Sequence, residues 1–184
     1  MDGATATGIL ATLGGQFAAF QALLLAASAF HKASTWGRSR EVVRDFGKVP
    51  QAFAPAALSA IIAIETLAAL MSVIPVSRIA GSVLAAFVWS SYLALIARAI
   101  VQRRNDIDCG CTFGAAAARP LGAYHATRNA VLVVVAFAVA CVSVADGSFA
   151  VLPSQAVGSV ALLALYGALD QVMALPPLRR GEAL

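Results

Sequence analysis

Five apolar runs, each long enough to cross a bilayer, leave this chain few ways to fold. They cover residues 8–30, 55–74, 79–100, 121–144 and 151–175. A hydrocarbon core about 30 Å thick takes about 20 residues of helix at about 1.5 Å per residue. Inside it, every backbone N–H and C=O must find a partner without water, so such runs fold as helices. The composition agrees: 60% of residues are apolar and 12% charged, against about 45–50% and about 25% in soluble domains. The expected fold is an all-α integral membrane protein. Residues 1–184 form a single membrane domain, a four-helix bundle plus a fifth C-terminal membrane helix.

The first run carries a rival reading as a cleaved signal peptide, because Ala27-Ser28-Ala29 resembles a small-residue cleavage site. It lacks a basic leader and is longer than the usual signal core, so an uncleaved span is expected. Gln16 and Gln21 lie within it, and an amide in hydrocarbon needs a partner, so both should face other helices. His31 and Lys32 end this span. Glu41 to Phe46 reads as a short interfacial helix stopped by Gly47 and Pro50. Pro55 suits a first helical turn, and Pro75 to Ser77 reads as a tight turn between the second and third runs. Asp146-Gly147-Ser148 is a turn before the fifth run, which ends at Pro176-Pro177. A four-span reading, with one weak run not crossing, would move the C-terminal tail but not the first four elements.

The basic residues mark one side. With five spans, one face receives Lys32, Arg38, Arg40, Arg44, Lys48, Arg103, Arg104, Arg119, Arg179 and Arg180, with Arg98 reaching it by snorkelling. Arg78 stands alone on the other. Cytoplasmic loops carry the excess of Lys and Arg. The N-terminus is therefore expected outside, and the 105–120 loop and the C-terminus in the cytoplasm of a cell that holds this protein in its inner membrane. The net charge of +4 is thus a topology signal, and no nucleic-acid partner is implied.

The 105–120 loop contains Asp106-Ile107-Asp108-Cys109-Gly110-Cys111-Thr112-Phe113-Gly114, with two of the chain's three cysteines. A disulfide across one residue closes a very small ring, and Gly110 can take the dihedrals that this needs. Departure from relaxed disulfide geometry makes a bond easier to reduce, which suits exchange with another dithiol. As dithiols the pair could instead hold Cu(I) or Zn(II), with His31 and His125 as the nearest further ligands, or they are inert loop residues. Cys141 falls near the opposite membrane face and reads as a small buried apolar residue.

Polar residues inside the runs are the remaining candidates. Glu65 sits near the middle of the second run, where a carboxylate must be paired, protonated or open to a cavity. Tyr124, His125, Arg128 and Asn129 crowd the first turns of the fourth, and spacings of three and four put them on shared faces. Arg128 lies roughly 10 Å into its helix and Glu65 roughly 15 Å into its own. A Glu65–Arg128 pair is therefore expected, either purely structural or lining a pocket for a quinone or substrate headgroup. Trp36, Trp89 and Tyr92 read as interface anchors or packing.

These features together resemble the methylamine utilisation protein MauE family, itself similar to the DoxX-like four-helix membrane proteins. The residues that carry the resemblance are His31-Lys32, Glu65, Asp108-Cys109-Gly110-Cys111 with Phe113-Gly114, Leu121-Gly122 and Arg128-Asn129, over roughly 8–144. Thr112 intervenes where the family pattern has Phe directly after the second cysteine. The resemblance implies a role in processing, transport or maturation of the methylamine dehydrogenase beta subunit, a periplasmic, disulfide-rich protein. It also implies a thioredoxin-like partner of the MauD type. On that reading Cys109 and Cys111 are the reactive pair of a membrane thiol-disulfide oxidoreductase. Glu65, Arg128, Asn129 and His125 support them. The alternatives are a soft-metal or small-molecule transporter and a non-catalytic scaffold for the thioredoxin-like partner. One conflict stands: the substrate's disulfides are periplasmic, whereas the charge pattern puts the cysteines in the cytoplasm.

Overall fold

The computed structural model describes residues 3–103, 122–141 and 152–174. They form six α-helices and a short 3₁₀ turn: α1 Gly3–Ser34, α2 Trp36–Gly47, α3 Ala54–Val73, the 3₁₀ turn Pro75–Ser77, α4 Arg78–Val101, α5 Ala123–Cys141 and α6 Leu152–Ala174. Five of the helices are long and apolar enough to cross a membrane, all but α2. The all-α membrane fold expected from the five runs is the one observed.

The bundle core is small-residue packing. Ala22, Ala68, Ala69, Ala85, Ala86 and Ala136 are buried with Leu24, Leu25, Trp89 and Leu132. Two apolar helices in lipid gain nothing by hiding apolar area from water, so close backbone approach has to hold them together. Many larger apolar residues point outward: Phe30, Phe87, Val134 and Val157 are all exposed. A soluble protein rarely exposes so much contiguous apolar surface; here it faces acyl chains.

Four extensive helix contacts build the bundle: α4 with α5, α1 with α3, α3 with α4, and α1 with α6. The α1–α6 contact uses reciprocal glycine seats. A Cβ on Gly15 would overlap the Gln155 amide, and one on Gly158 would overlap that of Gln16. Gln16 Nε2 donates to the Ser154 carbonyl at 3.3 Å, so this amide finds a partner on another helix as expected. Gln21 faces the bundle, 2% exposed, but neither of its amide atoms has a hydrogen-bond partner among the described residues.

Helix α2 is longer than the expected Glu41 to Phe46 segment, running from Trp36 to Gly47 with no buried residue. Gly47 is its last helical residue, and the left-handed position that ends it is Lys48, at φ 56°. Its basic residues and half-exposed Trp36 suit a helix lying in the membrane interface. Asp45 holds the exposed Arg44 guanidinium above its usual pKa, by a hydrogen bond first and by charge second. A small cleft between α2 and the start of α3 is lined by Arg40, Glu41, Arg44, Gln51 and Ala54.

Candidate functional site

Helix α1 does not stop where the first apolar run does. It continues to Ser34, so Lys32 lies one turn beyond Ser28 on the same helix face. That face meets α3 at Glu65, which is fully buried. Lys32 Nζ lies 2.9 Å from Glu65 Oε1 and 3.2 Å from Oε2. Ser28 Oγ donates to Oε1 at 2.9 Å, and Tyr92 Oη of α4 donates to the same oxygen. The ammonium also sits 5.2 Å from the centre of the Tyr92 ring. One carboxylate oxygen thus accepts from three side chains on two helices, α1 and α4. The third donor explains why Tyr92, read from sequence as anchor or packing, is turned into the bundle.

A second ion pair joins α5 to α6. Arg128 Nη1 bonds Asp170 Oδ1, with side chains 7% and 5% exposed. Tyr166, one turn before Asp170, lies under the guanidinium with its ring centre 5.5 Å from Cζ. Its ring also meets Phe20 of α1 edge-on at 6.0 Å. His125 and Asn129 complete the buried start of α5. Asn129 Nδ2 donates to the His125 carbonyl at 3.0 Å, and the Gly122 N–H approaches His125 Nδ1 at 3.5 Å.

The expected Glu65–Arg128 pair is therefore not formed. Depth along the helices is compatible with it, but each charge is already taken by another: Glu65 by Lys32 of α1, and Arg128 by Asp170 of α6. From the sequence, Lys32 reads only as a basic residue at the end of a span. The available signal was that Lys32, just past the first run, and Glu65, Arg128 and Asp170, inside the second, fourth and fifth, are two positive and two negative charges whose helices the alternation of spans brings to one half of the bundle. That half is shared because Ile96 and Ala99 of late α4 pack with Ala126 of early α5, and α6 runs parallel to α1.

Cys141 also departs from expectation. It is a free, exposed thiol rather than a buried apolar residue. The buried face of α5 is His125, Asn129, Leu132, Ala136 and Val139, and Cys141 falls two residues past that stripe, on another side of the helix. Cys109 and Cys111 lie outside the described residues, in the segment that connects α4 to α5. His31 is exposed on α1.

These observations define a multi-pass all-α membrane protein with two buried ion pairs at one end of its bundle. The chain belongs to the methylamine utilisation protein MauE family, whose model matches residues 8–142. It is thus an accessory membrane protein of methylamine utilisation. Helix α6, and with it Asp170, lies beyond the matched residues. No curated protein and no solved structure matched the chain.

Proposed function

We propose that this protein, as a single membrane domain, supports maturation of the methylamine dehydrogenase beta subunit by thiol-disulfide exchange at Cys109 and Cys111. The observation that carries this reading is the Cys-Gly-Cys pair in a chain of the MauE family. A thiolate of a partner dithiol attacks one sulfur of the Cys109–Cys111 disulfide, giving a mixed disulfide and one free Cys thiolate. The partner's second thiolate then displaces the other cysteine. The partner leaves oxidised by two electrons, and Cys109 and Cys111 leave as thiols. A thioredoxin-like protein of the MauD type is the expected partner, and a membrane quinone is the acceptor class suited to reoxidising the pair.

Glu65, Arg128, Asn129 and His125 take supporting roles in this reading, and the two ion pairs give them a physical form. Paired charges tie α1, α3 and α4 together, and α5 to α6, at the end of the bundle from which the Cys-bearing segment starts and to which it returns. The orientation that goes with it places this end in the cytoplasm, in an inner membrane. The substrate's disulfides are periplasmic, so that orientation requires electrons to be relayed across the bilayer.

Replacing Cys109 and Cys111 together by serine tests the proposal. Loss of disulfide-bonded, active dehydrogenase is the expected result, and full maturation of the beta subunit in the double variant would remove the exchange chemistry. A soft-metal carrier is the second reading, favoured by the same thiols. Metal analysis of the purified protein with and without them separates the two.

A further inference from the structure

The far end of the bundle holds a buried cation with no carboxylate partner among the described residues. Arg78 is the first residue of α4 and only 8% exposed. Its Nε has no hydrogen-bond partner, and no carboxylate among the described residues lies within ion-pair distance of it. It shares the inward face of α4 with Gly81, Ser82 and Ala85, all buried at spacings of three, four and seven. Gly81 brings that face against the α3 backbone: a Cβ there would lie 2.5 Å from Ser72 N. A long side chain on the first residue of a helix leans back over the helix N-terminus, so the guanidinium is carried to the positive end of the α4 dipole.

The Arg78 backbone N–H at the start of α4 donates to the Pro75 carbonyl of the preceding 3₁₀ turn, but no acidic residue lies in the first turn of α4 and no side chain among the described residues caps it. Ser77 stands at the N-cap position, yet its Oγ donates 3.0 Å back to the Met71 carbonyl of α3. A buried cation with no carboxylate partner among the described residues is costly in a bilayer, and an oxyanion beside it, favoured by the helix dipole, removes that cost. The turn beside it ends in Val76, 95% exposed, which suits a tip resting among acyl chains at headgroup depth.

We propose that Arg78 and the N-terminus of α4 form a binding site for a phosphate oxyanion. The planar guanidinium fork takes two oxygens of such a group, and the helix end favours its negative charge. The site is independent of the thiol chemistry proposed above. Its oxyanion belongs either to an anionic lipid headgroup or to a free phosphate.

The full chain, purified in a phosphate-free maltoside detergent, is titrated with phosphatidylglycerol and separately with inorganic phosphate, with thermal unfolding as the readout. Wild type is expected to gain stability, with apparent affinity falling about tenfold in Arg78→Gln and severalfold in Arg78→Lys, which keeps the charge but lacks the fork. A response to the lipid alone identifies a headgroup, and a response to inorganic phosphate as well identifies a free anion. Should Arg78→Gln not fold, the comparison of wild type with Arg78→Lys decides. No response of wild type to either probe, or an equal response in wild type and every folded variant, overturns the proposal.

Discussion

Lys32 Nζ lies 2.9 Å from Glu65 Oε1, joining α1 to α3 inside the bundle. The carboxylate is fully buried and the lysine 13% exposed. Breaking a buried pair costs about 3–5 kcal/mol because a charge is left uncompensated. Lys32→Met should fall near the low end, about 3 kcal/mol, since Lys32 keeps some access to water. Lys32→Met combined with Glu65→Gln should recover most of the loss, because no lone charge remains. Thermal unfolding of wild type and the two variants in detergent checks this, and wild-type stability in Lys32→Met would contradict the pairing.

The Arg128–Asp170 pair carries a different consequence. Helix α6 docks on α1, and α5 reaches it chiefly through this ion pair and the Tyr166 ring. Asp170→Asn leaves Arg128 without its carboxylate and should cost about 3–5 kcal/mol. Limited proteolysis should then cut within α6 before it cuts α3 or α4. Exchanging the two residues, Arg128→Asp with Asp170→Arg, should restore protection; cleavage of α6 no faster in Asp170→Asn than in wild type would show that the pair does not hold it.

Gly81 fixes how closely α3 and α4 approach. Its missing Cβ leaves room for the backbone of Ser72 and Met71, which cannot move aside as a side-chain end can. Gly81→Ala should destabilise by about 1–3 kcal/mol, as overpacking does. Gly37 of α2 meets nothing within 4 Å, so Gly37→Ala should instead be neutral or slightly stabilising, by up to about 1 kcal/mol. Equal stabilities for the two variants would contradict the close crossing.

Orientation follows from where the basic residues fall. In a Cys141→Ser background, Cys109 and Cys111 should resist a membrane-impermeant maleimide in intact cells and react after lysis. Labelling from outside would reverse the orientation, and would put the pair on the same side as the disulfides of the proposed substrate.

Much of the architecture was legible because membrane helices announce themselves by length and apolarity. Pairing inside the bundle was not. Depth alone pairs Glu65 with Arg128, but it leaves out the other charges at similar depth; Lys32 of α1 and Asp170 of α6 are the true partners. The helical continuation past Phe30 hid Lys32's role, since a lysine at the end of an apolar run normally marks the interface. Ser28, four residues before it, was the clue that the two share a face toward α3. Cys141 was misread for a related reason: a cysteine in an apolar run was assigned to the core, although its position relative to Asn129, Leu132 and Ala136 turns it away.

The account rests most heavily on exchange at Cys109 and Cys111, and mixed-disulfide trapping tests it most directly. With Cys141→Ser as background, Cys109→Ser and Cys111→Ser each leave one thiol that cannot be displaced by its neighbour. Cells expressing these variants are quenched with acid and alkylated, and the protein is run without reductant. At least one single variant should carry a thiol-sensitive adduct to a thioredoxin-like protein, absent when both cysteines are serine. No adduct in either variant, together with full beta-subunit maturation in the double variant, would contradict the account.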